Sequence, residues 1–257
     1  MAEDLKENAS SATETTPALR ENTKTKKVKK KKQRQITVPA NKDGRHVMKF
    51  LNFLRFLLVP IIWILFPFRF YGPRKVKDGP CLYIQNHYRI WDVAYPACTT
   101  WEGIHYIGKE SLLKVPVLGW LCRAVKLIPV KRDGSDVRPF LDALKCLKNG
   151  EKVAVFPEGT RNKTGVDLQP FKPGAALLAI KSRVPIVPIM AYKRQHIFRT
   201  CKVLIGEPFE LTEYYDKKVT TELLAEVDEV LREKMLSLRI KFDEALAAKR
   251  AKKAKKN

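Results

Sequence analysis

CLYIQNHYRIWD, residues 81–92, joins a short run of apolar, strand-forming residues to a polar segment that carries a histidine and, five positions on, an aspartate. On an unbroken helix two residues at that spacing point about 140° apart, so His87 and Asp92 would not meet. At a strand-to-helix junction they can. With His87 in the turn and Asp92 in the first helical turn, the carboxylate folds back onto one ring nitrogen and leaves the other aimed at a cleft. That is the base-plus-orienter arrangement of acid–base catalysis. Asn86 and Trp91 are placed to brace the turn.

Outward from this junction the pattern repeats. GIHYI (103–107), KLIPV (126–130), KVAVF (152–156), PIVPIMA (185–191) and KVLIG (202–206) are further strand runs, separated by helical stretches. The clearest of these is SDVRPFLDALKCLKNG (135–150), where Val137, Phe140, Leu141, Leu144 and Leu147 recur at helical spacing. Ser135 or Asp136 would cap that helix and Gly150 would stop it. A last helix is expected from about Thr220 to Lys249. Strands alternating with helices predict an α/β fold with a mostly parallel central sheet flanked by helices.

Charge is concentrated at the ends. Residues 1–46 hold twelve Lys/Arg against six Asp/Glu, and residues 249–257 hold six Lys/Arg with no acid, within a net charge of +23. Such lysine-rich, aromatic-free segments bury too little apolar surface to fold alone, so both read as basic tails. Their excess implies anionic partners. Attraction to an acidic membrane surface fits better than specific nucleic acid binding, because the lysines lack interleaved aromatic residues.

Residues 50–68, FLNFLRFLLVPIIWILFPF, are the most hydrophobic part of the chain. As a helix, 56–68 would span only about 20 Å of a bilayer core of about 30 Å, and a longer span would enclose Arg55. The expectation is an N-terminal helical membrane anchor, residues 47–70, bent at Pro60 and lying in one leaflet. The α/β domain then covers 71–248. A cleavable leader is not expected, since the first hydrophobic stretch begins some fifty residues in. Five scattered cysteines without a CxxC pair argue against a zinc or dithiol centre and for a reducing compartment.

A second motif, KVAVFPEGTRN (152–162), is a strand followed by a loop bearing Glu158, Gly159, Thr160 and Arg161. Glycine admits close backbone approach, threonine offers a hydroxyl, and arginine grips a phosphate through paired hydrogen bonds. The loop reads as an anion site at a strand's C-terminal end. Glu158 would orient Arg161 or a glycerol hydroxyl. With no GxSxG elbow present, His87 is expected to activate a substrate alcohol rather than an enzyme nucleophile.

NHYRIWD followed by FPEGTRN resembles the 1-acylglycerol-3-phosphate acyltransferases and related glycerolipid acyltransferases, with their NHxxxxD and FPEGTRS blocks. IGKESLLKVPVLGWLCRAVKLIPVKRDG (107–134) and FKPGAALLAIKSRVPIVPI (171–189) resemble two further blocks of that family, and the likeness covers roughly residues 48–210. The resemblance implies that His87, oriented by Asp92, is the general base on an acceptor hydroxyl. That hydroxyl attacks the thioester of acyl-CoA or acyl-carrier protein directly, with no cofactor, no metal and no covalent intermediate. It also implies that Arg161, Lys109 and Arg132 bind the acceptor phosphate, that a two-helix anchor lets the site draw a membrane lipid, and that the enzyme works at the cytoplasmic face. Asn162 stands where the family has serine, and Tyr88 and Arg89 fill variable positions, with Arg89 a further candidate in acceptor selection. A different lysophospholipid or glycolipid acceptor stays open, as does a non-catalytic basic membrane-binding protein.

Overall fold

The structure, a computed structural model, describes residues 49–131 and 136–254. Its centre is a seven-stranded sheet in the order β1-β7-β6-β2-β5-β3-β4. The strands are β1 (Phe68–Tyr71), β2 (Cys81–Gln85), β3 (Ile104–Lys109), β4 (Ile128–Val130), β5 (Lys152–Val155), β6 (Ile186–Ala191) and β7 (Cys201–Ile205). Five of them, from β6 through β2, β5 and β3 to β4, run parallel. β7 is antiparallel to β6, and β1 is parallel to β7, so one edge of the sheet is reversed.

Alternation along the inner strands divides the core into two layers, as a sheet covered on both faces requires. Leu82, Ile84, Val153, Val155, Ile186 and Met190 face one side, where they pack with buried residues of α4 (Arg138–Lys148), α5 (Gly174–Ser182) and α6 (Thr221–Ala254). Cys81, Tyr83, Ala154, Val187 and Ile189 face the other, beside Tyr95 of α2 (Ala94–Ala97) and Val59 and Ile62 of α1 (Lys49–Leu65). α5 is apolar nearly all round because α4 and α6 flank it. In α6 Leu223, Val227, Leu231 and Met235 are buried, one per turn, and Leu224, Val230, Leu236, Leu238 and Phe242 are half-buried against the same core.

Several sequence expectations shift. Residues 68–70, assigned to the anchor by hydropathy, form edge strand β1, because Phe68 is buried while Arg69 points outward and the segment pairs with β7. The preceding helix ends at Leu65 and runs through Pro60 as one element. Among the described residues no helix is long and apolar enough to cross a membrane. Arg55, the charge that argued against a span, donates to the carbonyls of Thr100 and Glu102 and so ties α1 to the domain. Helix α4 starts at Arg138 with Val137, not Asp136, at the cap position; Asp136 still accepts the backbone N–H of Arg138 and pairs with its guanidinium, and Ser135 lies outside the described residues. At the C-terminus α6 continues through 249–254, a segment whose charge alone read as a tail. The tail at 1–46 lies outside the described residues.

Candidate active site

β2 delivers the chain to the C-terminal edge of the parallel strands, and there the side chain of Asn86 takes the place of the next strand residue. Its amide donates to Ala191 O at 3.0 Å and its oxygen accepts from Ala191 N at 2.8 Å. The chain leaves the sheet at His87 and enters a 3₁₀ turn, Ile90–Val93. Asp92, fully buried in that turn, uses one oxygen three times: it accepts from Tyr88 N at 2.6 Å, from Arg89 N at 2.7 Å and lies 3.1 Å from His87 Nδ1. The two backbone donors set the carboxylate before the imidazole arrives. Gln85 secures the turn from beneath, donating to Asp92 O at 3.0 Å.

The loop after β5 packs onto this turn. Phe156 stacks on the His87 ring at 4.0 Å between centroids and 26° between planes, which fixes the ring's plane. Glu158, also buried, accepts His87 N on one oxygen at 3.0 Å and Gln169 N on the other at 3.2 Å. Burial pushes its carboxyl up, and those two N–H groups oppose the shift. Gly159 then turns the chain at φ +65, a left-handed conformation that glycine adopts without strain. Asn162 closes the loop. Its N–H donates to His87 O at 2.5 Å, its amide donates to Val166 O, and its oxygen accepts from Thr164 N and Oγ1.

The structure therefore gathers His87, Asp92, Phe156, Glu158 and Asn162 into one connected unit. Gly159, Thr160 and Arg161 form its exposed rim, and Lys109 is exposed at the end of β3, at the same edge of the sheet. Arg132 lies outside the described residues. Glu158 does not orient Arg161, one of the two roles expected of it: both of its oxygens are engaged by backbone N–H groups, and it makes no hydrogen bond or ion pair with Arg161. It holds the two loops together instead. Arg89 donates from Nε to Gln195 O, which fixes it against the connection between β6 and β7. Phe156 and Asn162 are contributions that spacing did not reveal; the only signal was their position beside the PEGTR run.

One group with metal-ligating chemistry lies elsewhere. Ligand atoms of His105, Cys146 and Glu151 converge within 4.8 Å, with His105 Nε2 and Glu151 Oε2 at 3.4 Å. His105 sits near the start of β3 and Glu151 just before β5, at the opposite end of the parallel strands from His87, so this cluster takes no part in the unit described above.

Comparison with known proteins places these loops in a family. A family model described as Acyltransferase matches residues 67–192, the stretch that contains both. A chloroplastic 1-acyl-sn-glycerol-3-phosphate acyltransferase of Brassica napus is 40% identical over 117 residues, 44% of this chain but 33% of that protein, so the chain spans about a third of that relative's length. The 1-acyl-sn-glycerol-3-phosphate acyltransferase of Bacillus subtilis is 31% identical over 147 residues, 55% of this chain and 71% of the relative. The crystal structure of the acyltransferase PlsC from Thermotoga maritima has the same fold, with a TM-score of 0.50 at 20% identity, covering 74% of this chain and 97% of that one. Matched across most of the Bacillus protein and across both loops that build the site, the chain belongs to the 1-acyl-sn-glycerol-3-phosphate acyltransferase family.

Proposed function

We propose that the protein moves a fatty acyl group from an acyl thioester, carried by CoA or acyl-carrier protein, to the sn-2 hydroxyl of 1-acylglycerol-3-phosphate, producing phosphatidic acid. The observation that carries this reading is the 3.1 Å contact between His87 Nδ1 and a carboxylate already oriented by two backbone N–H groups. Asp92 keeps the proton on Nδ1, so Nε2 offers its lone pair to the lipid hydroxyl. Nε2 takes the hydroxyl proton as the oxygen adds to the thioester carbonyl. The tetrahedral adduct expels the thiolate, which recovers that proton from the imidazolium. One C–O bond forms, one C–S bond breaks, and both residues return to their starting state; this sequence calls for no cofactor.

Arg161, with Lys109 and Arg132, is assigned to the acceptor phosphate, and Gly159 and Thr160 to the close approach and hydroxyl contact beside it. The test is an assay in detergent with 1-acylglycerol-3-phosphate and, separately, monoacylglycerol. Losing a charge-assisted pair of hydrogen bonds, Arg161→Ala is expected to lower kcat/KM for the phosphorylated acceptor by about 10- to 100-fold. The same change should leave monoacylglycerol turnover within about twofold of wild type. Equal losses on both acceptors would remove Arg161 from phosphate binding, and no transfer to either would reject the reaction.

The exposed apolar surface supports work at a membrane. Phe53, Phe56, Leu57, Ile61, Trp63 and Ile64 of α1 are exposed, and so are Ile197 and Phe198 at the tip of the β6–β7 connection. That tip adjoins the helix end, with Phe198 N donating to Leu65 O at 2.8 Å. This patch is assigned to one leaflet of the cytoplasmic face, with the lysine-rich ends attracted to anionic lipid. Five cysteines without a disulfide suit that compartment. Each large side chain placed in lipid contributes about 1.5–3 kcal/mol, so Phe56→Asp with Ile64→Asp should weaken sedimentation with phosphatidylglycerol vesicles at least about tenfold. Unchanged sedimentation would place the attachment elsewhere.

A further inference from the structure

A cleft of about 540 Å³ opens beside Tyr88, walled by residues 192–196, 199 and 200 of the β6–β7 connection, by the start of β7, by Gly165 and Asp167 of the loop after β5 and by Arg239 of α6. It touches the catalytic unit directly. Tyr88 follows His87 in the chain and donates from its hydroxyl to the carbonyls of Val166 and Asp167, while Arg89 donates to Gln195 O from the facing wall. Its lining is strongly cationic: Lys193, Arg194, Arg199 and Lys202 all contribute. Among the described residues the one carboxylate on the wall, Asp167, is already paired with Arg239. Lys193 and Lys202 lie over the ring of Tyr192 at 5.9 and 5.3 Å. Arg194 and Arg199 are exposed, and their side chains make no hydrogen bond or ion pair among the described residues. Two guanidinium groups left without a counter-charge beside two ammonium groups form a site for a ligand with several negative charges.

We infer that this cleft binds the adenosine 3′-phosphate diphosphate moiety of an acyl-CoA donor. The inference rests on the acyltransferase reading above and selects between its two donor carriers. A lysophosphatidate phosphate is a single group and is assigned to the Gly159–Arg161 rim, whereas a CoA nucleotide carries a 3′-phosphate and a diphosphate together, matching the four cations of the cleft. The concave shape favours a small molecule, since clefts of about 300–1,000 Å³ suit ligands of that size, while an acidic carrier protein would dock on a broad convex face. Position agrees with amphiphilic chemistry. Exposed Ile197 and Phe198 lie in the same connection as Arg194 and Arg199, so the cations sit where a nucleotide remains in water while its acyl chain enters lipid. Tyr88 places the cleft one residue from the general base, within reach of a flexible pantetheine arm.

The experiment uses the full-length protein in detergent and the double variant Arg194→Glu/Arg199→Glu. Adenosine 3′,5′-bisphosphate is titrated calorimetrically, and kcat/KM is measured with palmitoyl-CoA and with the palmitoyl thioester of N-acetylcysteamine, which has no nucleotide. Wild type is expected to bind the bisphosphate with an affinity that falls as salt rises, and the variant to lose that binding. The ratio of kcat/KM for palmitoyl-CoA over that for the truncated thioester should fall about tenfold or more. An unchanged ratio, or no bisphosphate binding by wild type, would overturn the assignment. Sedimentation of the same variant with phosphatidylglycerol vesicles is measured alongside, and lost vesicle binding at an unchanged ratio would overturn the assignment in favour of lipid head groups. If the variant fails to fold, Arg194→Gln/Arg199→Gln removes the charges without reversing them and is held to the same ratio. Failure of wild type to use either thioester would sink the acyltransferase reading itself, and the bisphosphate titration would still report on the cleft.

Discussion

His87→Ala should lower acyl transfer about 10²- to 10⁴-fold, the contribution typical of a positioned general base, while leaving the protein folded. The expectation of a folded variant comes from the bonds around the residue. His87 N is held by Glu158, His87 O by Asn162 N, and the following turn by Asp92 through the N–H groups of 88 and 89. None of these uses the imidazole, so its removal leaves the main chain of the loop in place and costs the stacking on Phe156 and the Nδ1 contact with Asp92, whose carboxylate keeps its two backbone donors. The measurements are kcat with 1-acylglycerol-3-phosphate and palmitoyl-CoA, together with the thermal unfolding midpoint. Turnover above a tenth of wild type, in a protein with an unchanged Tm, would rule out His87 as the base.

Asp92 gives a second large effect, and two substitutions separate its two tasks. In Asp92→Asn the side-chain oxygen is held by the same pair of backbone N–H groups and can still accept from His87 Nδ1, so ring orientation survives and only the negative charge is lost. Without that charge the imidazolium formed during transfer loses a charge-assisted hydrogen bond, worth about 1.5–3 kcal/mol, or roughly 10- to 100-fold in kcat. KM for the acceptor and Tm should hardly move. Asp92→Ala is a different defect: it strands two backbone donors in a fully buried site, each at a cost of about 1–3 kcal/mol, and unfolding should come well before that of Asp92→Asn. Should Asp92→Asn retain full kcat, the carboxylate would be only a structural pin for the turn.

The residues most legible in the sequence were those whose chemistry is local. A histidine and an aspartate five apart make sense only where a strand gives way to a turn, and that geometry alone predicted how the carboxylate folds back onto the ring. The inner strands were visible because they alternate or run apolar over several residues. Glu158 stood out beside Arg161, and the structure gives it different protein partners. Proximity in sequence suggested Arg161, with a glycerol hydroxyl as the alternative, whereas one of its two backbone partners, His87 N, is 71 residues away. Asn162 looked like a minor replacement for serine, yet its longer side chain reaches both Val166 and Thr164 and braces the loop.

By itself, then, the sequence determined the alternation of strands and helices, the βα junction that carries His87, and the apolar segment before it, because each depends on side-chain periodicity within a few residues. Only the tertiary structure decided that FRFY leaves the hydrophobic segment to become an edge strand, that β7 runs against its neighbour, and that Asn86 is locked to Ala191, 105 residues on. It also decided that cations from the β6–β7 connection gather in a cleft against the turn after His87. Contacts of that kind arise from packing between distant segments, and one chain's residue order carries no direct record of which of them will meet.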